Sequence, residues 1–261
     1  MAPPNREAAI FFTDQLRLAR LAALADAEAF DEIIHVLEKL GSYLTREAQR
    51  DVGSPSNLGQ YEYVLVELAS HSGMADDIPG KFRSILTPFK TLFQSVRVAR
   101  NDAMHQGAFA RHLARHAVQL GIILEDALAS HLNHVVSDFM IRNVVYAEPW
   151  QPIGFIRQQM LENSFTCLPV LAMSDSDAEW QVVSDVDIAA FLRQETRSKD
   201  RVKLLANTLQ EAKVNLRSAK FVDEKTTLDE ALELLKGNSI LLVAGPSKRG
   251  LLGILTAFDL M

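Results

Sequence analysis

The order of elements between residues 136 and 261 repeats itself, and a repeat constrains architecture more tightly than any single pattern in the chain. The first copy opens with Val135 to Tyr146, which ends in a short β-branched run at Val144-Val145 before Tyr146, and turns at Pro149, Gln151 and Pro152. A helix is predicted over 153–163, a strand over 165–171, a polar hairpin over 174–179, a strand over 180–183 and a helix over 184–193. The second copy follows suit, with a strand over 218–222, a helix over 227–236 and strands over 239–243 and 251–255. It ends on Thr256-Ala257-Phe258-Asp259. Both copies read β-α-β-β-α, and the charged, largely helical stretch 194–216 lies between them as a linker.

Ahead of the repeat no period-2 pattern competes with helical spacing. Apolar residues recur at three- and four-residue intervals in runs near 5–24, 27–44, 60–70, 82–96 and 108–132. Turn clusters interrupt them at 51–57, 71–73 and 78–80, and Pro88 predicts a kink in the fourth run. The expected fold class is therefore α+β with two domains: an all-α bundle over 1–135 and the tandem repeat over 136–261. The copies are placed at 136–193 and 217–261. A chain of 261 residues accommodates both.

Within the bundle one window departs from the charge of the whole. From Lys81 to His116 seven basic residues (Lys81, Arg83, Lys90, Arg97, Arg100, Arg111, Arg115) face one acid, Asp102, a local balance of +6 in a chain of net charge −6. A basic island on an acidic protein calls for a phosphate-bearing partner. Arg100-Asn101-Asp102-Ala103-Met104-His105 lies inside it. On a helix Asn101 and His105 share a face, and a long arginine can swing toward the same groove. An imidazole moves protons near neutral pH, and a guanidinium grips phosphate with paired hydrogen bonds. The same residues also read as a helix-end cation and a satisfied polar group. His112 and His116, four apart, could share a metal ion, but no nearby carboxylate stands at a matching offset, so no catalytic metal is expected.

Composition narrows the rest. Apolar residues at 48% and charged residues at 23% describe an ordinary globular protein. The single cysteine, Cys167, excludes intrachain disulfides and suits a reducing compartment. No segment reads as a signal peptide or membrane span, so a cytoplasmic protein is expected. No helix-turn-helix with a clear recognition helix emerges, so DNA is not an expected partner.

The stretch Arg100-Asn101-x-x-x-His105, late in a small α-bundle, resembles the R-polar-x-x-x-H motif of the HEPN family. That resemblance covers roughly 5–135 and implies a metal-independent ribonuclease whose site forms when two protomers pair their motif helices. Carried over, Arg100 binds and stabilises the scissile phosphate, His105 is the general acid/base, and Asn101 orients one of them. RNA and a second copy of the chain are the implied partners.

The repeat resembles a pair of CBS domains. Asp138-Phe139-Met140-Ile141-Arg142-Asn143-Val144-Val145 is similar to the family's opening, Leu168-Pro169-Val170 to its central strand, and Ser184-Asp185-Val186-Asp187 to its ligand signature. In the second copy Thr227-Leu228-Asp229-Glu230-Ala231-Leu232 and Thr256-Ala257-Phe258-Asp259 play the same parts. The resemblance implies an adenine nucleotide (AMP, ADP or ATP) as regulatory ligand in the cleft between copies. The implied contacts are Ser184, Asp187, Thr256, Asp259, Val145, Tyr146, Leu168 and Pro169. A hydroxyl at a helix start, beside free N–H groups, suits a phosphate, and an aspartate three positions on can accept both ribose hydroxyls. The same spacing is also close to a capping box that needs no ligand. Met261 falls about where the last helix of the second copy should begin, so that helix is expected to be truncated.

Two functions follow as expectations. One is a HEPN-type endoribonuclease regulated by nucleotide binding to the CBS pair. The other is a non-catalytic nucleotide sensor whose bundle serves dimerisation or partner docking.

Overall fold

Asn5 starts the first helix because its side-chain oxygen replaces a missing helical acceptor: Oδ1 accepts from the Ala8 N–H at 2.8 Å. A computed structural model of the chain describes residues 4–47, 58–75, 87–103, 110–173, 178–194, 198–245 and 250–261. They fall into two compact units, Met1–Asn133 and His134–Met261.

In the first unit α1 (Arg6–Ala25) buries Ala9, Phe12, Leu16, Ala19 and Ala23, spaced as one helical stripe. A short 3-10 turn leads into α2 (Phe30–Glu47), which buries Ile33, Ile34, Leu37, Leu40 and Leu44. Then come α3 (Glu62–Ala69), α4 (Phe89–Ala103) and α5 (Ala110–Ala129). Helix α5 is central, packing against each of the other four. It buries Leu113, Ala117, Leu120, Leu124 and Leu128, and α4, which packs against it, buries Phe89, Leu92, Phe93 and Val96. Each such large side chain contributes about 1.5–3 kcal/mol on leaving water.

Two contacts fix how these helices approach. Arg20 of α1 and Glu125 of α5 make two parallel bonds of 3.0 Å, with side chains only 12% and 13% exposed. Gly41 lies under the Tyr61 ring, where an added Cβ would sit 2.4 Å from Cγ, so α2 closes on that ring only without a side chain.

Pro88 does not kink a helix. Helix α4 begins immediately after it, and the Pro88 carbonyl accepts from the Leu92 N–H at 3.0 Å. At a helix start the missing proline N–H removes no helical bond. The earlier part of that run, Phe82, Ile85 and Leu86, lies outside the described residues.

The second unit repeats its hydrogen bonds as well as its elements. It contains α6 (Val136–Phe139), α7 (Ile153–Asn163), β1 (Cys167–Met173), β2 (Ala178–Ser184), α8 (Asp185–Leu192), α9 (Ser198–Ala206) and α10 (Leu209–Ala212). There follow β3 (Arg217–Ser218), β4 (Lys220–Val222), α11 (Leu228–Leu235), β5 (Leu241–Ala244), β6 (Leu251–Leu255) and a 3-10 turn over Ala257–Leu260. Leu209 N donates to Gln151 O at 2.9 Å, as Val136 N donates to Thr226 O at 2.9 Å. Gln210 N to Pro149 O at 3.0 Å answers Ser137 N to Glu224 O at 2.8 Å. Each short helix, α6 or α10, thus clips onto the copy that follows or precedes it across the repeat.

The strand expected over 218–222 is in fact two strands in two sheets. Arg217 and Ser218 pair with Val182 and Gln181 in the sheet β1-β2-β3, while Lys220–Val222 run parallel to β5 in the sheet β4-β5-β6. The first copy does the same with isolated bridges: Ile141 pairs with Ile254 of β6, and Ala147 runs parallel to Val170 of β1. Each copy therefore lends its leading residues to the other copy's sheet. The supposed linker 194–216 likewise supplies Leu209 and Val214 to the first core, beside Ile153, Leu168, Val170 and Ile188. Val136 and Met140 enter the second core, with Val222, Ala231, Leu241, Val243 and Leu255. Gly253 permits the crossing, since an added Cβ would lie 2.8 Å from the Ile141 carbonyl. A third cluster of Cys167, Trp180, Val182, Ile240 and Leu242 joins the copies. Among the described residues no helix is long and apolar enough to cross a membrane.

Candidate functional site

Strand β2 ends on Ser184, and its extended backbone turns there into α8. The Ser184 hydroxyl accepts from the Asp187 N–H at 3.1 Å, a helix cap, and donates to Asp187 Oδ2. The carboxylate does not fold back fully onto its own cap. Asn215 Nδ2 donates to Oδ1 at 3.2 Å, and the Arg217 guanidinium approaches Oδ2 at 3.5 Å. Both partners stand on the segment that β3 pins to β2, with Arg217 level with Val182, two residues before Ser184. The Asp187 side chain is 10% exposed and that of Arg217 57%. Burial alone would raise the Asp187 carboxyl. Hydrogen bonds from Ser184 and Asn215 and the nearby Arg217 charge outweigh it and hold the group below the usual carboxylate range.

The first turn of α8 has little left for an added anion. Asp185 N donates to Thr166 O at 2.9 Å, Val186 N to Asp185 Oδ1 at 2.7 Å, and Asp187 N to Ser184 Oγ. Two carboxylates, Asp185 and Asp187, occupy the same turn. The free N–H groups inferred from sequence for a phosphate are already engaged.

The second copy behaves differently. Asp259 Oδ2 accepts from both Thr256 N and Thr256 Oγ1 at 2.8 Å, and the residue is buried. That is the closed capping arrangement, and it starts a 3-10 turn of four residues.

The other four sequence candidates divide. Val145 and Tyr146 are partly exposed, the tyrosine ring standing edge-on to Trp180 at 5.5 Å. They precede Ala147, whose N–H donates to the Pro169 carbonyl at 2.8 Å. Leu168 is packed in the first core and Pro169 is buried, so their side chains hold the strand. Asn215 and Arg217 were not among the candidates. Their only sequence signal is position: they stand where the other copy carries its leading segment, which pairs across the repeat.

For the helical unit, Arg100 and Asn101 fall on α4, and their side chains and the whole of His105 lie outside the described residues. The basic island is less bare than its sequence. Arg97 Nη1 meets Glu62 Oε2 of α3 at 3.1 Å, and Gln94 donates to the same carboxylate at 3.1 Å. The acid was missed because it comes from 35 residues upstream. Among the described residues no group of three or more His, Cys, Asp or Glu is placed to hold a metal ion. Burial pushes the Cys167 thiol up, with a hydrogen bond from Thr166 opposing and the Asp185 charge assisting, so the thiol is not an activated nucleophile.

The comparisons with known proteins bear on the second unit. The family model of the CBS domain matches residues 213–261. Among curated proteins none matches the chain. Similar solved structures include CBSX2 in complex with AMP, at 24% identity over 49% of this chain and 92% of that one, with a TM-score of 0.37. A hemolysin-like protein containing a CBS domain, from Oenococcus oeni, is 19% identical over 48% of this chain and 86% of its own, with a TM-score of 0.36. The protein MJ1225 of Methanocaldococcus jannaschii is 21% identical over 49% of this chain and 46% of its own, with a TM-score of 0.39. With the matched segment beginning at Lys213, just ahead of Asn215 and Arg217, residues 213–261 of this chain are a CBS domain.

Proposed function

We propose that the second unit is a nucleotide sensor, with an adenine nucleotide (AMP, ADP or ATP) bound at Ser184 and Asp187 of the first copy. The observation that carries this reading is the Asp187 carboxylate. It is nearly buried, kept ionised, and reaches out of its own cap to residues lent by the CBS-matched segment. A cis-diol needs such an acceptor, an ionised carboxylate with two oxygens able to accept from hydroxyls. Val145 and Tyr146, partly exposed ahead of the Ala147 bridge, are the proposed contacts for the base. Thr256 and Asp259 supply the weaker second site, because Asp259 is spent on its own cap. Binding would then bear on the join between the copies, since Asp187 is itself held by Asn215 and Arg217 from beyond the first copy. The test is thermal shift of the full chain with AMP, ADP and ATP. A ligand that binds only the folded state raises the transition by mass action, and Asp187→Ala should abolish that rise.

For the helical unit we propose the downstream output as RNA cleavage without metal in a paired homodimer. The supporting observation is that α4 runs unbroken through Ala103, so Arg100 and Asn101 ride on one helix. In that reaction the 2′-oxygen bonds to phosphorus as the bond to the 5′-oxygen breaks. His105 moves the proton and Arg100 stabilises the charge on the phosphoryl oxygens. Incubation with single-stranded RNA in EDTA tests it. Cleavage lost in both Arg100→Ala and His105→Ala supports the reading, and cleavage surviving both refutes it in favour of a docking or dimerisation role.

A further inference from the structure

We propose that the helical face of the first copy binds a single-tailed amphiphile with an anionic head, in a cavity of about 730 Å³ bounded by α7, α8 and α9. That volume is ordinary for a small-molecule site. The cavity is separate from the Ser184–Asp187 site, and the proposal does not rest on the nucleotide reading. Helix α8 gives the cavity Asp185, Ile188, Ala189 and Leu192, at the three- and four-residue spacing of one helical face. The Asp187 side chain goes elsewhere, to Asn215 and Arg217.

Charge and apolar surface gather at opposite ends of this cavity. Asp185 N donates to Thr166 O at 2.9 Å, so the exit of α7 meets the entry of α8. Leu161 and Val186, both exposed, stand at that end. Arg157 lies a turn earlier on α7 and Arg193 two turns later along α8, so both belong to the other end. Arg201 joins them, because α9 docks on the start of α7. There Ile153 N donates to Asn207 O at 2.9 Å, and a Cβ on Gly154 would lie 3.1 Å from the carbonyl of Leu205, one turn beyond Arg201. Met160, Ile188 and Leu192 are buried and floor the space between.

Among the described residues no carboxylate is bonded to any of the three guanidiniums. Asp185, the one acid on the wall, is at the far end, and its Oδ1 already accepts from Val186 N at 2.7 Å. A neutral ligand would leave three cations unanswered, and a bare anion would leave the apolar floor wet. An alkyl carboxylate or alkyl phosphate answers both. Its head takes paired hydrogen bonds from arginine, and each methylene buried is worth about fourfold in affinity.

The experiment is calorimetry on the full chain with dodecanoate and dodecyl phosphate, each below micelle formation. Dodecyl maltoside keeps the tail without the charge, and the eight-carbon homologue of each anion keeps the charge on a shorter tail. One molecule of the better anion should bind per chain, and the better of the two assigns the head. It should bind at least roughly tenfold more tightly than dodecyl maltoside, the scale of one charge-assisted contact. Its eight-carbon homologue should bind at least about tenfold more weakly. Arg193→Gln with Arg201→Gln should remove the advantage of the anion and leave dodecyl maltoside unchanged. Ala189→Glu, at an exposed position on the wall, should block the anion outright. Far-UV circular dichroism excludes misfolding of these variants. An anion bound no more tightly than dodecyl maltoside, or bound equally by both variants, overturns the proposal. Absence of binding also overturns it, and a dimer that Ala189→Glu then splits would assign this face to a second copy instead.

Discussion

Arg217 Nη2 lies 3.5 Å from Asp187 Oδ2, although the two residues belong to different copies of the repeat. The contact exists because β3 leaves its own copy and pairs with β2, bringing residue 217 level with Val182. Its two ends are unequal. Arg217 is more than half exposed, and Asp187 is nearly buried with Ser184 and Asn215 also bound to it.

That inequality predicts the cost of removing each partner. Arg217→Ala should destabilise the second unit by less than ~1 kcal/mol, as solvent-screened pairs do. Asp187→Ala leaves Ser184 and Asn215 without their acceptor and should cost about 1–3 kcal/mol. Urea unfolding measures both, and a larger loss for Arg217→Ala would contradict the account. The pH dependence has a definite sign. A carboxyl held below its ordinary 3.8 contributes stability that is complete above that value and lost as pH falls through its folded value. Asp187→Asn should flatten that part of the acid limb.

In the helical unit the Arg20–Glu125 pair is almost wholly buried. Removing one charge strands the other, so Glu125→Ala should cost about 3–5 kcal/mol, while Arg20→Met with Glu125→Leu should recover most of it. Additive losses in the double variant would show that the pair stabilises outright.

Gly253 marks where the exchanged segment crosses β6. A Cβ there would stand 2.8 Å from Ile141 O and 2.8 Å from Met140 Sδ, so Gly253→Val should cost about 1–3 kcal/mol or more. Gly237, with nothing within 4 Å of its would-be Cβ, is the control, and Gly237→Ala should shift stability by no more than ~0.5 kcal/mol. Equal effects at the two glycines would contradict the crossing.

His131 stands edge-on to His71 at 5.0 Å, and its Nε2 is buried without a hydrogen-bond partner. Burial first, and the His71 charge second, lower its pKa from 6.5. Protonation therefore favours the unfolded chain, so stability is complete above 6.5 and falls as pH drops toward the lower folded value. Thermal melts of the wild type and His131→Gln between pH 7.5 and about 5 should diverge toward the acid side. Parallel curves would contradict it.

Local periodicity was enough to find most elements. The helix over 153–163 and the strand over 251–255 have the ends that their apolar spacing and turn residues predict. What periodicity does not carry is which sheet a strand joins. Residues 218–222 read as one β run, yet the chain changes sheet at Ala219, whose N–H donates to Trp180 O at 3.2 Å. The same limit hid the site's partners. Ser184 and Asp187 announce themselves by spacing, whereas Asn215 and Arg217 reach them only through a pairing between copies. Pro88 shows the converse, for a proline is legible as a break but not as a start rather than a kink. Arg97 looked like an unanswered charge because Glu62 is distant in sequence.

The central claim is an adenine nucleotide on the Asp187 carboxylate, and calorimetric titration of the full chain with AMP tests it most directly. Saturable binding in the wild type, lost in Asp187→Ala and kept in Asp259→Ala, is the predicted result. Binding that survives Asp187→Ala, or is lost only in Asp259→Ala, would contradict it.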